Sequence, residues 1–423
     1  MTDLLAFLKD SPTAYHACEN VKNFLSENGF SQLSETEDWD VNEGGKYFVV
    51  RGGSIIAFTV DSLDDFAYKI VASHTDSPAL KLKENAVNPG VYATLNVETY
   101  GGGIWYTFFD RPLKIAGSVV KKEGNLLLRK NVESPFLVTI PSVAIHQNRN
   151  ANDGFSVDAQ VDLQPLLSLG KEELTMRTLL EKVAGGEVVS HDLYLVNADA
   201  PYSFGLNDEF LASPRIDNLT SVYASLQALV SHGERSGICI AACLDNEEVG
   251  SLTAQGADGD FLETVLRRIA YAFRFDDNEY YKALASSFLV SADNAHAVHP
   301  NHPEKADPTN KAKLGGGIVI KSHAGKAYVT DAIGSAVLKT LFDKEGVPYQ
   351  FFANRSNMRS GSTLGAASLR HVSVAGADVG IAQLAMHSAC ECFAKADYQS
   401  FTDGLRAYYA CTLRAVDGGF GVE

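Results

Sequence analysis

Three short runs of apolar, partly β-branched residues, 68–73, 238–244 and 287–291, each give way at once to polar, chemically capable side chains. Runs of that length and composition predict buried strands. The residues that follow them are His74-Thr75-Asp76, Asp245-Asn246-Glu247-Glu248 and Asp293-Asn294-Ala295-His296. Open α/β sheets bind ligands in the crevice beyond the carboxyl ends of their strands, so three such endings point to one site at one sheet edge.

Helical patterns lie between these strands. From Asp217 the positions Leu219, Val222, Leu226, Leu229 and Val230 recur near the helical period and stop at Gly233, with Asp217 or Asn218 available as N-cap. A second pattern opens at Thr330-Asp331, carries Ile333, Val337, Leu338, Leu341 and Phe342 to Gly346, and is followed by a strand-like stretch, 349–353. Alternation of this kind predicts an α/β fold with a mixed, largely parallel sheet flanked by helices. Residues 84–212 break it with β-rich pieces at 91–99, 105–109, 113–120 and 126–129. They predict an inserted β-rich domain between two parts, 1–83 and 213–423, of a main domain. Gly101-Gly102-Gly103 and Gly315-Gly316-Gly317 lack the Lys-Ser/Thr that a phosphate loop needs, and read as turns.

Composition narrows the function. The 423 residues are 45% apolar and 21% charged, ordinary globular values. Acidic residues outnumber basic ones 52 to 36, and a net charge of −16 repels nucleic-acid phosphates. The opening apolar stretch holds Asp3 and is too short for a signal-peptide core, and no apolar run approaches the roughly 20 residues of a membrane span. The expected location is the cytoplasm, without nucleic-acid or membrane partners. Six cysteines without a Cys-x-x-Cys pair suggest reduced thiols.

A pair of divalent metals needs a bridging carboxylate, terminal His or carboxylate ligands, and a separate base for the attacking water. His74 opens a His-x-Asp in which Asp76 is placed to hold its other ring nitrogen. Glu247 and Glu248 are adjacent, so one can ligate while the other faces water; a solvated acidic turn is the competing reading. Asp217 is equally explained as a helix cap, and His387, among Leu384-Ala385-Met386, as a core histidine. Asp293 follows an apolar strand.

Six ordered segments along nearly the whole chain resemble the aspartyl aminopeptidase family of two-zinc metallopeptidases. They are Ala72-Ser73-His74-Thr75-Asp76-Ser77-Pro78, Pro141-Ser142-Val143-Ala144-Ile145-His146, Ser213-Pro214-Arg215-Ile216-Asp217-Asn218-Leu219, Asp245-Asn246-Glu247-Glu248-Val249-Gly250-Ser251, Asp293-Asn294-Ala295-His296-Ala297-Val298-His299-Pro300-Asn301 and Gln383-Leu384-Ala385-Met386-His387-Ser388. The resemblance implies that His74 and Asp293 hold one zinc, Glu248 and His387 the other, that Asp217 bridges them, and that Glu247 is the base. It implies that His146 reaches a neighbouring subunit's site and helps stabilise the tetrahedral intermediate, with a zinc-ligand role ranked second. Lys321, His299 and Tyr328 match positions near an acidic substrate side chain; an exposed strand-end lysine is the alternative for Lys321. The inserted domain would mediate dimer contacts, within a tetrahedral dodecamer.

The expected reaction is hydrolysis of the first peptide bond of peptides with a free N-terminus, preferring Asp or Glu. Two divalent ions are expected per subunit, with Zn, Mn and Co all compatible with these ligands. After His387 the family usually has Ser, an apolar residue, Arg and Glu, whereas this chain has Ser388-Ala389-Cys390-Glu391 and lacks the arginine. The segment Arg355-Ser356-Asn357-Met358-Arg359-Ser360-Gly361-Ser362-Thr363 keeps the family's character as a pocket wall. Rival readings are a co-catalytic metal amidohydrolase or deacylase of acylated amino acids, and a catalytically silent scaffold of the same fold.

Overall fold

The computed structural model describes residues 1–423 except 65, 171–173, 234–236 and 359–360. The apolar runs became neighbours because each has two faces to bury. In the strand Gly237–Leu244, Cys239, Ala241 and Cys243 enter one apolar cluster, and Ile238, Ile240, Ala242 and Leu244 enter the opposite one. Tyr68–His74 repeats the alternation, with Val71 on the first face and Tyr68, Ile70 and Ala72 on the second. A strand apolar on both faces is stable only inside a sheet covered on both sides.

That sheet has nine strands. At its centre Gly237–Leu244, Tyr68–His74, Phe288–Ala292 and Ala375–Gly380 run parallel, in that order. Ser54–Ser62 and Lys46–Arg51 add antiparallel strands on one side, with Ser31–Gln32 at the edge. On the other side Ile318–Lys321 is antiparallel to Ala375–Gly380 and parallel to Tyr349–Phe352. The sheet is therefore mixed with a parallel centre. Helices Thr2–Asp10, Ala14–Glu27, Ile216–Ser231, Ala332–Glu345 and Lys395–Ala410 cover one face, while Phe261–Ala272, Asp277–Ala285 and Leu364–Ser368 cover the other.

Between these halves runs a six-stranded antiparallel sheet with its own apolar core, ordered Leu126–Val138, Leu113–Glu123, Ser190–Asn197, Ala79–Asn88, Ala93–Tyr100, Leu166–Ser168. The strand Ala79–Asn88 straddles position 84. Tyr202–Phe204 and Phe210–Ser213 leave this sheet for a five-stranded one, where Phe210–Ser213 pairs with Glu391–Ala394. Trp105–Phe108, expected as strand from its aromatics, is a short 3-10 turn instead. The amide and the hydroxyl of Thr107 both donate to Ile104 O, at 3.0 and 2.6 Å, closing the turn so that Phe108 is buried. The second glycine run meets a carboxylate of its own chain: Gly315 and Gly317 amides donate to Asp397 at 2.7 and 2.8 Å.

Candidate metal centre

The parallel strands deliver their polar ends to one place. His74 is the last residue of its strand, Asp293 the first after Phe288–Ala292, and Glu247 and Glu248 form the short turn Glu247–Val249 beyond Gly237–Leu244. Asp217 joins them at the start of Ile216–Ser231, where its φ of −80° and ψ of 109° are not helical. His387 arrives on the loop before Glu391–Ala394 with a left-handed φ of 66°, following Ala385 at 56°. Left-handed backbone costs a non-glycine residue roughly 1–2 kcal/mol and persists where surroundings dictate it.

Asp217 organises the geometry. Its Oδ1 lies 3.5 Å from His74 Nε2, whose other carboxylate neighbour is Asp293 Oδ1 at 3.8 Å. Its Oδ2 lies 3.5 Å from His387 Nε2, which is 3.2 Å from Glu248 Oε1. One carboxylate thus faces two separate His-carboxylate pairs, and the ligand atoms of each cluster fall within 4.8 Å of one another. The contacts do not favour the N-cap alternative, since Asp217 Oδ1 has no hydrogen-bond partner and Oδ2 faces the His387 ring. Asp217 Oδ1 and Glu248 Oε1 are buried without a hydrogen-bond donor, which is costly for a carboxylate unless a cation is its partner.

Charge tells the same story. Burial alone would lower the His387 imidazole, but Asp217 and Glu248 override it and push its pKa up to about 12. His74 is likewise raised by Asp217, Asp293 and Asp76 against its burial. Burial would raise Asp217, yet His387 and His74 hold it below the ordinary carboxylate range. Glu247, half-buried, is raised by burial and by Asp293 and Glu248, with His74 opposing. A cluster that draws protons onto two imidazoles is short of positive charge. His, Asp and Glu donors on two adjoining clusters suit divalent zinc, manganese or cobalt.

Asp76 does more than the His-x-Asp pattern suggests. His74 Nδ1 is nearest the backbone carbonyl of Asp76, at 3.1 Å, with the carboxylate at 3.4 Å. That carboxylate accepts the amides of Glu247 and Glu248, each at 3.1 Å, and the Tyr100 hydroxyl at 2.7 Å. Glu391 was not singled out by sequence, yet it accepts the Asp217 amide at 2.9 Å and the His387 amide at 2.7 Å. The one signal available was its place in Ser388-Ala389-Cys390-Glu391.

The other candidates are spread around this centre. Lys321 is buried rather than exposed at its strand end; its Nζ donates to Asn294 O at 3.2 Å, lies 3.7 Å from Asp293 Oδ2 and sits 5.1 Å over the Tyr328 ring. His299 lines a groove with His296, His302, Lys305 and Leu384, and its Nδ1 accepts from the Asn301 amide, leaving Nε2 as the donor. His146 is exposed in the inserted sheet's loops and joins none of the ligand clusters among the described residues. Arg359 and Ser360 of the expected pocket wall lie outside the described residues.

Known proteins share this arrangement of chain. The family model for aminopeptidase I zinc metalloproteases (M18) matches residues 7–409. A probable M18 family aminopeptidase 2 of Clostridium acetobutylicum is 40% identical over 422 residues, covering 96% of this chain and 97% of the relative. Among solved structures, a chain in the cryo-EM structure of the Ape4 and Nbr1 complex superposes with a TM-score of 0.92 at 34% identity, covering 97% of this chain and 85% of that one. The S. cerevisiae mApe1 dodecamer gives a TM-score of 0.82 at 26% identity, covering 96% and 95%. With the strand-end His, Asp and Glu cluster, an unpartnered buried oxygen on Asp217 and full-length similarity in agreement, the chain belongs to the M18 family of zinc aminopeptidases.

Proposed function

We propose that this aminopeptidase holds two divalent ions per chain, most simply zinc, one among His74, Asp293 and Asp217, the other among Glu248, His387 and Asp217. The observation that supports this best is the pair of Asp217 oxygens, each turned to a different His-carboxylate pair. When bound, the ions supply Lewis acidity and a water of lowered pKa. Glu247 takes the proton from that water and returns it to the leaving amine, a role favoured by a carboxyl whose pKa is raised by burial.

The substrate is a peptide with a free N-terminus, and Asp or Glu is its preferred first residue. With the chain at −16, selection of an acid must be local, and Lys321, His299 and Tyr328 are the groups for it. Lys321 is, among the described residues, the only lysine set against Asp293, so its charge acts at the edge of the centre. The assembly is a homo-oligomer built on dimers through residues 84–212, extending to a dodecamer, in which His146 serves a neighbouring subunit. Support comes from the dodecameric assembly of the similar mApe1 and from Val91, Leu126, Leu127, Leu137, Val143 and Ile145, apolar yet exposed on this part of the chain.

The test is a panel of peptides differing in first residue, assayed with zinc, manganese and cobalt alongside metal analysis. Two ions per chain and faster release of Asp and Glu are expected; a single ion at full activity would refute the two-ion reading. An Asp-anilide should be cleaved and its N-acetyl form spared, the reverse of a deacylase. Glu247→Gln should keep both ions and lower kcat by about 10²–10⁴-fold.

A further inference from the structure

The triple glycine at 101–103 is neither a phosphate loop nor a bare turn, because the antiparallel sheet presents it directly to the metal centre. Tyr100 ends the strand Ala93–Tyr100, and its hydroxyl donates to Asp76 Oδ2 at 2.7 Å while accepting from Asn246 Nδ2 at 2.9 Å. Asp76 in turn accepts the amides of both Glu247 and Glu248. One residue on, a Cβ at Gly101 would stand 3.1 Å from Glu248 Cβ and 3.4 Å from Glu248 Oε2, at a φ of +73° that side chains rarely adopt. Gly102 O lies 3.0 Å from His387 Nδ1, the ring nitrogen opposite the one facing Asp217 and Glu248. The Ile104 amide donates to His387 O at 2.8 Å.

We infer that residues 100–104 are the positioning wall of the second ion's site, with Tyr100 holding the Glu247-Glu248 turn through Asp76 and Gly102 fixing the His387 ring. A carbonyl on Nδ1 sets the tautomer that leaves Nε2 free to ligate. A hydroxyl shared between Asp76 and Asn246 keeps the turn from rotating its two glutamates away from their separate tasks. Tyr100 touches neither substrate nor ion in this arrangement, so its effect passes through Asp76. The inference rests on the two-ion reading above.

The experiment uses the full chain carrying Tyr100→Phe, which removes only the hydroxyl, and Gly101→Ala, which places a methyl against Glu248. Ion affinities are read by chelator competition, the ligand geometry by the visible spectrum of the cobalt-loaded protein, and kcat and KM separately. For Tyr100→Phe the affinity for the ion at Glu248 and His387 should fall about 10–100-fold, outer partners of ligands being worth that much. Its kcat should fall by at least about tenfold with KM within about twofold, the cobalt spectrum should shift, and the assembly should remain intact. Gly101→Ala should weaken the same ion. Unchanged ion affinity and cobalt spectrum in both variants would overturn the inference, as would an activity loss in Tyr100→Phe matched by loss of folding or assembly. A wild type binding one ion would instead sink the two-ion reading, while the Tyr100→Phe spectrum would still report whether the hydroxyl acts on the remaining ion.

Discussion

Glu391 places one carboxylate oxygen under the amide of Asp217 and the other under the amide of His387. It thereby fixes two candidate ligands that lie 170 residues apart in sequence. In Glu391→Gln one acceptor becomes an NH2 group facing a backbone N–H. We expect zinc affinity to drop about 10–100-fold, measured by chelator competition, with a smaller change in melting temperature of the zinc-saturated protein. Retained affinity would assign Glu391 to packing alone. The residues that the fold gathers were legible because each is a chemically reactive type at the end of an apolar run or within a family segment. Glu391 and Tyr100 were not, because a carboxylate or phenol that works on backbone amides and distant side chains leaves no periodic mark. Asp217 was ambiguous for the same reason: capping and bridging ask for the same residue, and only three-dimensional contacts separate them.

At the level of elements, the helix Ile216–Ser231 is held at both ends by charge. Its C-terminal neighbour His232 directs Nδ1 to Leu229 O at 2.6 Å and Nε2 to Asp61 Oδ2 at 2.8 Å. Both ring nitrogens are thus used as donors, which accounts for its closeness to Asp61 and Cys239 without a metal. Burial alone would lower the imidazole, but Asp61 reverses this and lifts its pKa from 6.5 to about 10. A raised folded-state pKa gives stability that is complete below about 6.5 and is lost as pH rises through about 10. His232→Gln should therefore destabilise the protein by about 1–2 kcal/mol near pH 6, with the difference shrinking toward pH 10, read from urea midpoints across that range. A pH-independent deficit would refute the charged cap. The helix Ala332–Glu345 was readable because its cap is local: Asp331 accepts the Gly334 amide at 2.8 Å and Gly346 closes the end. Trp105–Phe108 was misread as strand because aromatic residues favour strands, whereas the turn is decided by the Thr107 contacts with Ile104 O.

For the whole molecule, the nine-stranded sheet through His74 and the antiparallel sheet through Tyr100 both reach the candidate metal centre, and ions bound there would stabilise only the folded chain. Ions present at 100 times their dissociation constant add about 2.7 kcal/mol for each independent site. Stripping with a chelator should lower the melting temperature, and zinc should restore it, with the apo protein still showing the secondary structure of the holo form. An unchanged melting temperature would mean that the ligands do not close on ions in the ground state. The wall at 100–104 also sets where such a chain can be cut and rejoined. The candidate ion ligands all lie outside residues 84–212, which invites grafting the antiparallel sheet from one relative onto the body of another. Because Gly102 and Ile104 grip His387 and Tyr100 reaches Asp76, a hybrid joined at position 84 would take the wall that positions its ion ligands from the donor. Recombination boundaries moved beyond Ile104 should yield active hybrids more often than boundaries drawn where the sheet begins.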